Sequence, residues 1–426
     1  MKTQAAELKD TDFVFFKVKN LWTYFISESL AFKSICAYLF IEYARPQEIF
    51  PIIDILPWAQ VFLGLSFLGL FADKKARMKF SGMHFLLLLF TLVIHLSIAG
   101  AYEPKWGMEY YVIFIQWVII FFLIASIITT KERFYIFFLV FFVCSLKIAF
   151  GTARNFAFRG FGFTSWGLKG PSGYFENSGE LAVLMLILFP ISYYFYRSYK
   201  KDVRVWEKYI LIAAVICPIL TILGSSSRGA QIALVAQLLV MFWRQVFKPK
   251  VFVSIAVLAW LGWQVLPAEQ KLRFTEIGED KSSIQRTLYW ENGWEMMKDH
   301  PVLGVGYFNF RPYFQDHYPE DVLYEYAQLP HNIFIQVGTD AGFLGLGTYM
   351  LIIVMALTRR LPVKLGSTRE IEPYYLAAWQ GLKIGVIGFV IAGQFVTIGY
   401  YPFLWISIAL QTALKFAIQE NLNRKA

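Results

Sequence analysis

Apolar runs long enough to cross hydrocarbon recur from one end of this chain to the other, and no other feature constrains its fold as strongly. A helix rises about 1.5 Å per residue, so roughly 20 apolar residues cross a bilayer core. Such runs fall at 26–43, 55–72, 82–101, 108–128, 133–150, 180–197, 207–223, 229–246, 250–266, 332–358, 377–398 and 401–418. Lipid offers no partner to backbone N–H and C=O groups, so runs of this length must close their own hydrogen bonds as helices. Glu28 and Lys33 interrupt the first, which can lie partly in the interface. The composition agrees, with 57% hydrophobic and only 16% charged residues against about a quarter charged in soluble domains. Forty-two Phe, 24 Tyr and 13 Trp suit lipid-facing and interfacial positions. The expected fold class is an all-α integral membrane protein of about twelve transmembrane helices with one long non-cytoplasmic loop that contains short helices.

Charge gives an independent check. The net charge is +10, yet the basic residues cluster in short segments between apolar runs, as in positive-inside loops, and imply no nucleic-acid partner. With the N-terminus inside, the inner segments hold groups such as Lys74, Lys75, Arg77 and Lys79, then Arg197, Lys200, Lys201, Arg204 and Lys208, then Arg359, Arg360, Lys364 and Arg369. The short outer loops hold only Arg45, Lys105, Arg154, Arg159, Lys169 and Arg228. A missed span would scramble this alternation, so twelve crossings with both termini cytoplasmic are expected. Residues 1–266 then form nine spans, 267–331 the long outer loop and 332–426 three more spans. Met1 to Asn20 lacks the apolar stretch of a cleaved signal peptide. Cys36, Cys144 and Cys217 lie inside apolar runs without metal-ligand spacing and are expected to be small buried residues.

The polar residues at the outer face are the ones able to do chemistry. Between spans seven and eight, Gly224-Ser225-Ser226-Ser227-Arg228-Gly229 makes a tight turn into a helix N-terminus. Free N–H groups there favour anions, and a guanidinium adds a fixed charge with forked donors; a capped helix start accounts for the same residues. At Leu329-Pro330-His331-Asn332 the long loop re-enters the membrane, with Asn332 placed to cap the helix and His331 held at the boundary. An imidazole there can take a proton at neutral pH, although a lone His is more often structural. Inside the loop, Ser282 and Ser283 precede an expected helix at 284–299, with Arg286, Trp290, Gly293 and Met297 on one face; Pro301 ends it, and Gly304 and Gly306 mark a turn. Its aromatic face can lie on the membrane surface. Arg311 sits in an aromatic stretch, where Arg and aromatics together suit phosphate and sugar. Lys33, Lys147, Lys383 and Lys415 fall within or near the ends of spans, and Asp340 can pair with one of these or with backbone. Nucleotide-binding, zinc-protease, cysteine-metal and nucleophile-elbow motifs are absent, so an enzyme here is expected to need neither ATP nor metal.

Taken together, Gly224-Ser-Ser-Ser-Arg228-Gly-Ala opening a span and Pro330-His331-Asn332 closing a loop about a hundred residues later resemble the O-antigen ligase family. Asp299 to Phe310 and His331 to Gly345 look like its signature region, although Asp340 stands where the pattern more often shows Glu. The likeness covers about residues 150 to 400, in a superfamily that also includes O-antigen polymerases and O-oligosaccharyltransferases. Ala44-Arg-Pro-Gln-Glu-Ile-Phe-Pro51 resembles the subgroup labelled exosortase-associated O-glycosylation ligases. The resemblance implies a bacterial inner-membrane protein whose site faces the periplasm. It implies transfer of a glycan from undecaprenyl diphosphate to a hydroxyl of the lipid A–core oligosaccharide, or of another glycan or protein, with no cofactor. His331 would take the acceptor proton, while Arg228, Arg286, Arg311 and the hydroxyls of Ser225, Ser226 and Ser227 would hold the diphosphate, with Asn332 and Asp340 as supports. A polymerase is the nearest rival. A twelve-span transporter of polysaccharide or lipid is the rival from another class, although the halves show no internal repeat.

Overall fold

The structure, a computed structural model, describes residues 18–424 apart from 165, 247, most of 251–279 and 363–370. The expected ninth span and the first part of the long loop therefore lie outside the described residues. The other eleven apolar segments all carry helices: α1 (Val18–Ser27) and α2 (Leu30–Ala44) for the first, then α3 (Trp58–Leu70), α4 (Gly82–Ala99), α5 (Pro104–Ile127), α6 (Lys131–Phe158), α7 (Ser178–Tyr199), α8 (Val205–Gly224) and α9 (Arg228–Met241). The loop supplies α10 (Lys281–Asp299) and α11 (Phe310–His317), and the C-terminal part α12 (Ile333–Thr358), α13 (Pro373–Ala392) and α14 (Pro402–Arg424). Seven of these, α4 to α8, α12 and α13, are 18 to 28 residues long and apolar enough to cross a membrane. Large side chains such as Phe85, Leu92, Val235 and Leu351 face outward along the bundle, as hydrocarbon solvent requires. The chain is a multi-pass membrane protein.

Helix starts follow their caps. Ser29, Thr130, Asn177, Ser227, Asp280 and Asn332 each accept a hydrogen bond from a first-turn N–H, which satisfies donors that helix geometry leaves open. Small residues then let helices close on one another. Gly381 brings α13 so near α7 that a Cβ would lie 2.5 Å from the Cα of Ile191. Gln237 on α9 donates to the carbonyls of Leu186 and Ile384, and Thr152 and Thr221 bond α6 to α8.

Buried charge sits where the first span breaks. Arg133 is fully buried and pairs with Glu28 at 2.7 Å and Asp73 at 2.8 Å, while Lys75 reaches the other Glu28 oxygen. Arg133, at the start of the apolar run 133–150, thus belongs to a buried ion-pair network rather than to the inner surface. The lysines within the spans bond carbonyls rather than Asp340: Lys33 that of Ile26, Lys147 that of Ala44 and Lys383 that of Arg359. The three cysteines are free and buried.

Above one end of the bundle, Tyr289, Met296, Val305, Phe310, Phe314 and Ala327 make a separate small core. The face of α10 expected to be shared does come together, but against α12 rather than a membrane surface. There Gly293 meets Ile335, Gly338 meets Met297 and the Trp290 indole donates to Pro330. That helix begins at Lys281 with Asp280 as its cap, not after the serines, because Asp280 Oδ1 accepts from the Ser283 N–H at 2.7 Å.

Candidate active site

Local backbone fixes His331. It adopts a left-handed φ of 52°, a conformation costing a non-glycine residue about 1–3 kcal/mol, and three neighbours hold it there. Its own N–H donates to Thr397 Oγ1 at 2.9 Å, the preceding Pro330 carbonyl takes the Trp290 indole, and the following residues start α12. Asn332 caps that helix as expected, accepting from Phe334 and Ile335, and the Ile333 N–H donates to Gly393. The 393–401 connection between α13 and α14 therefore positions the imidazole.

The same connection reaches the serine turn. A Cβ on Gly229 would lie 2.5 Å from Phe395, so Arg228 begins α9 beside the strap that carries Thr397. The turn itself is mostly structural. Ser225 is buried and donates to Ile222, Ser227 caps α9, and Ser226, at a φ of 57°, donates to the Thr164 carbonyl. The arrangement of the three hydroxyls follows the plainer reading of a capped helix start.

Arg228 Nη2 pairs with Asp280 Oδ2 at 2.8 Å. Burial would raise the Asp280 carboxyl, but the Ser283 hydrogen bond and then Arg228 bring it down to about 2. One turn into α10 stands Arg286, whose pKa is lowered by burial and by the nearby Arg228. Among the described residues its Nε is buried without an acceptor. His331 is lowered to about 4, first by burial and then by Arg286. Arg228, Asp280, Arg286 and His331 thus share one electrostatic neighbourhood: two fixed cations, one carboxylate and a neutral imidazole. Among the described residues the cations outnumber the carboxylates there, and positive charge in a poorly hydrated place favours an anion.

Arg311 lies elsewhere in the cap. Its guanidinium stacks near Trp106 and Tyr326, and its Nε donates to Ala327. Asp340 is buried beneath the loop, facing the Phe308 N–H and the Tyr400 hydroxyl just outside hydrogen-bonding geometry. Nearby, Gly342 breaks α12 with φ 65° and ψ −170°. The break frees helical carbonyls, and Val305 N–H takes that of Thr339 while the Ser97 hydroxyl takes that of Asp340. Gly304 and Gly342 thus serve backbone-to-backbone contact between loop and helix.

Asp280 and Thr397 are residues that sequence reasoning missed. A carboxylate opening a helix that carries Arg286 was a readable signal for the first. Thr397 had none, since its role comes from a connection folding back on a distant turn.

Residues 213–350 match the family model described as O-antigen ligase, and residues 11–200 match a family of unknown function. None of the curated proteins matches the chain. The first match spans Ser225 to Asp340, including every cation of the site.

Proposed function

We infer, from the premise that this chain belongs to the O-antigen ligase family through its domain at residues 213–350, that it transfers a glycan from a polyprenyl diphosphate to a hydroxyl. By the family resemblance the carrier is undecaprenyl diphosphate and the foremost acceptor the lipid A–core oligosaccharide. The single observation that carries this reading is the grouping of Arg228, Arg286 and His331 at one end of an apolar bundle. A lipid diphosphate must present its charge there while its tail stays in hydrocarbon.

In this mechanism the acceptor oxygen attacks the anomeric carbon, and His331 takes its proton. The bond from that carbon to the diphosphate breaks with its electron pair on the leaving oxygen, giving inversion. Arg228 and Arg286 meet the charge that develops there, and donors fixed in advance lower the barrier most where charge appears. The sugar–diphosphate bond is itself activated, so no nucleotide enters. In this reading the chain crosses the inner membrane twelve times, with both termini cytoplasmic and α10 and α11 in the periplasm. Arg311, stacked on aromatics, then orders the cap rather than the phosphate.

A cell lacking the chain tests this. Loss of a ligase leaves long glycans on the carrier lipid, whereas loss of a polymerase leaves single repeat units there. Complementation with His331→Ala or Arg228→Ala is expected to leave the defect in place at normal expression. Restoration by either variant contradicts the mechanism and favours a transport role.

A further inference from the structure

A cleft of about 440 Å³ opens between the α6–α7 connection and the start of α7, lined by Trp166, Lys169, Glu176, Asn177 and Glu180. We propose that this cleft is a saccharide subsite taking an uncharged sugar ring of the transferred glycan, a proposal that rests on the transferase reading above.

Position comes first. The α6–α7 connection touches the serine turn, because Gly167 packs against the Ser225 carbonyl and Thr164 accepts from Ser226. Gly179 in the first turn of α7 lies against Val396, the neighbour of the Thr397 that holds His331. The cleft is therefore next to the cation site and distinct from it.

Chemistry comes second. Trp166 is 81% exposed, a flat amphipathic face able to stack on the C–H side of a pyranose. Glu176 and Glu180 supply acceptors for ring hydroxyls, while Lys169 and the Asn177 amide supply donors. Asn177 Oδ1 is already used by the Gly179 N–H, which leaves the amide nitrogen to donate. The exposed Glu176 carboxylate offsets the Lys169 ammonium and leaves the lining without the surplus cation that phosphate or uronate needs, so the anion goes to Arg228 and Arg286 and a neutral ring goes here.

The wall of the cleft is also clamped. Arg45 donates to Ser172 at 3.2 Å and pairs with Glu48, and its guanidinium fills the space beside Gly173, which has a φ of 76°. Arg45 is itself left-handed, with a φ of 50°. The Ala44-Arg-Pro-Gln-Glu segment thereby fixes the loop that carries Lys169 and Glu176.

The test uses the purified full chain in nanodiscs on arrayed oligosaccharides of neutral hexoses and N-acetylhexosamines beside phosphorylated and uronate counterparts. The parent is expected to retain neutral glycans, and Trp166→Ala to lose about tenfold or more, the usual effect of removing one anchor. Glu180→Gln, nearly isosteric, is expected to weaken binding too and covers the case in which Trp166→Ala fails to fold. His331→Ala is expected to bind glycans like the parent while transferring none. A parent that binds neutral glycans but transfers none to a hydroxyl acceptor would overturn the transferase reading while leaving the glycan binding standing, and an active His331→Ala would overturn only the role of His331. Preference for the anionic glycans, no binding to neutral ones, or parent-like binding by both cleft variants overturns the subsite.

Discussion

His331 works as a base only while its imidazole is neutral, and Arg286 helps keep it so. Its pKa of about 4 in the free protein means that activity falls only as the pH drops through that value. A bound diphosphate would offset Arg286 and raise the imidazole, making it a stronger base when substrate is present. The acid limb of kcat is therefore expected at higher pH than that of kcat/KM, since the two report bound and free enzyme. In Arg286→Gln the limb of kcat/KM is expected to move upward in pH, and the value at neutral pH to fall by about 10²–10³, as for loss of one charge-stabilising donor. A limb unchanged by that substitution would separate the two residues. At Asp280, Asn keeps the cap and removes the charge competing for Arg228, so Asp280→Asn is expected to bind inorganic pyrophosphate more tightly in calorimetry; unchanged affinity would contradict the competition. The Asn332 cap was legible because capping is local. The engagement of Ser225 and Ser227 was not, because only the fold decides which way a hydroxyl points.

Elements were legible where apolar length alone decides them, as at α4 to α8. The unexpected features are long-range. In the sequence Glu28 only interrupts the first apolar run and Arg133 only opens the run at 133–150, and tertiary packing alone joins the α1–α2 junction to α6. Removing one member of a buried pair strands the other, at a cost of about 3–5 kcal/mol. Arg133→Ala is expected to lower the thermal midpoint far more than Lys298→Ala, whose partner Glu295 is exposed. Equal midpoints would rule out a structural role for the pair. Gly342 marks the other long-range joint. Its φ and ψ suit only glycine, and a Cβ would lie 2.5 Å from the Val302 backbone. In the sequence that segment reads as one continuous apolar run at 332–358, and the broken helix whose carbonyls bond the loop is visible only in the fold.

At the scale of the whole molecule, the proposed twelve crossings place the two ends of the bundle on opposite sides of the membrane. Because the three native cysteines are buried, single cysteines can report the sides. A cysteine at Ser172 or Tyr326 is expected to react with an impermeant thiol reagent from outside, and one at Lys74 or Lys201 only after permeabilisation. The converse pattern would invert the chain and move the site to the cytoplasm. The most direct test of the central claim is the release of free polyprenyl diphosphate in proteoliposomes supplied with purified lipid-linked glycan and a hydroxyl acceptor. Acceptor-dependent release by the parent and none by well-folded His331→Ala is the result expected; release by His331→Ala at the parent rate would contradict it.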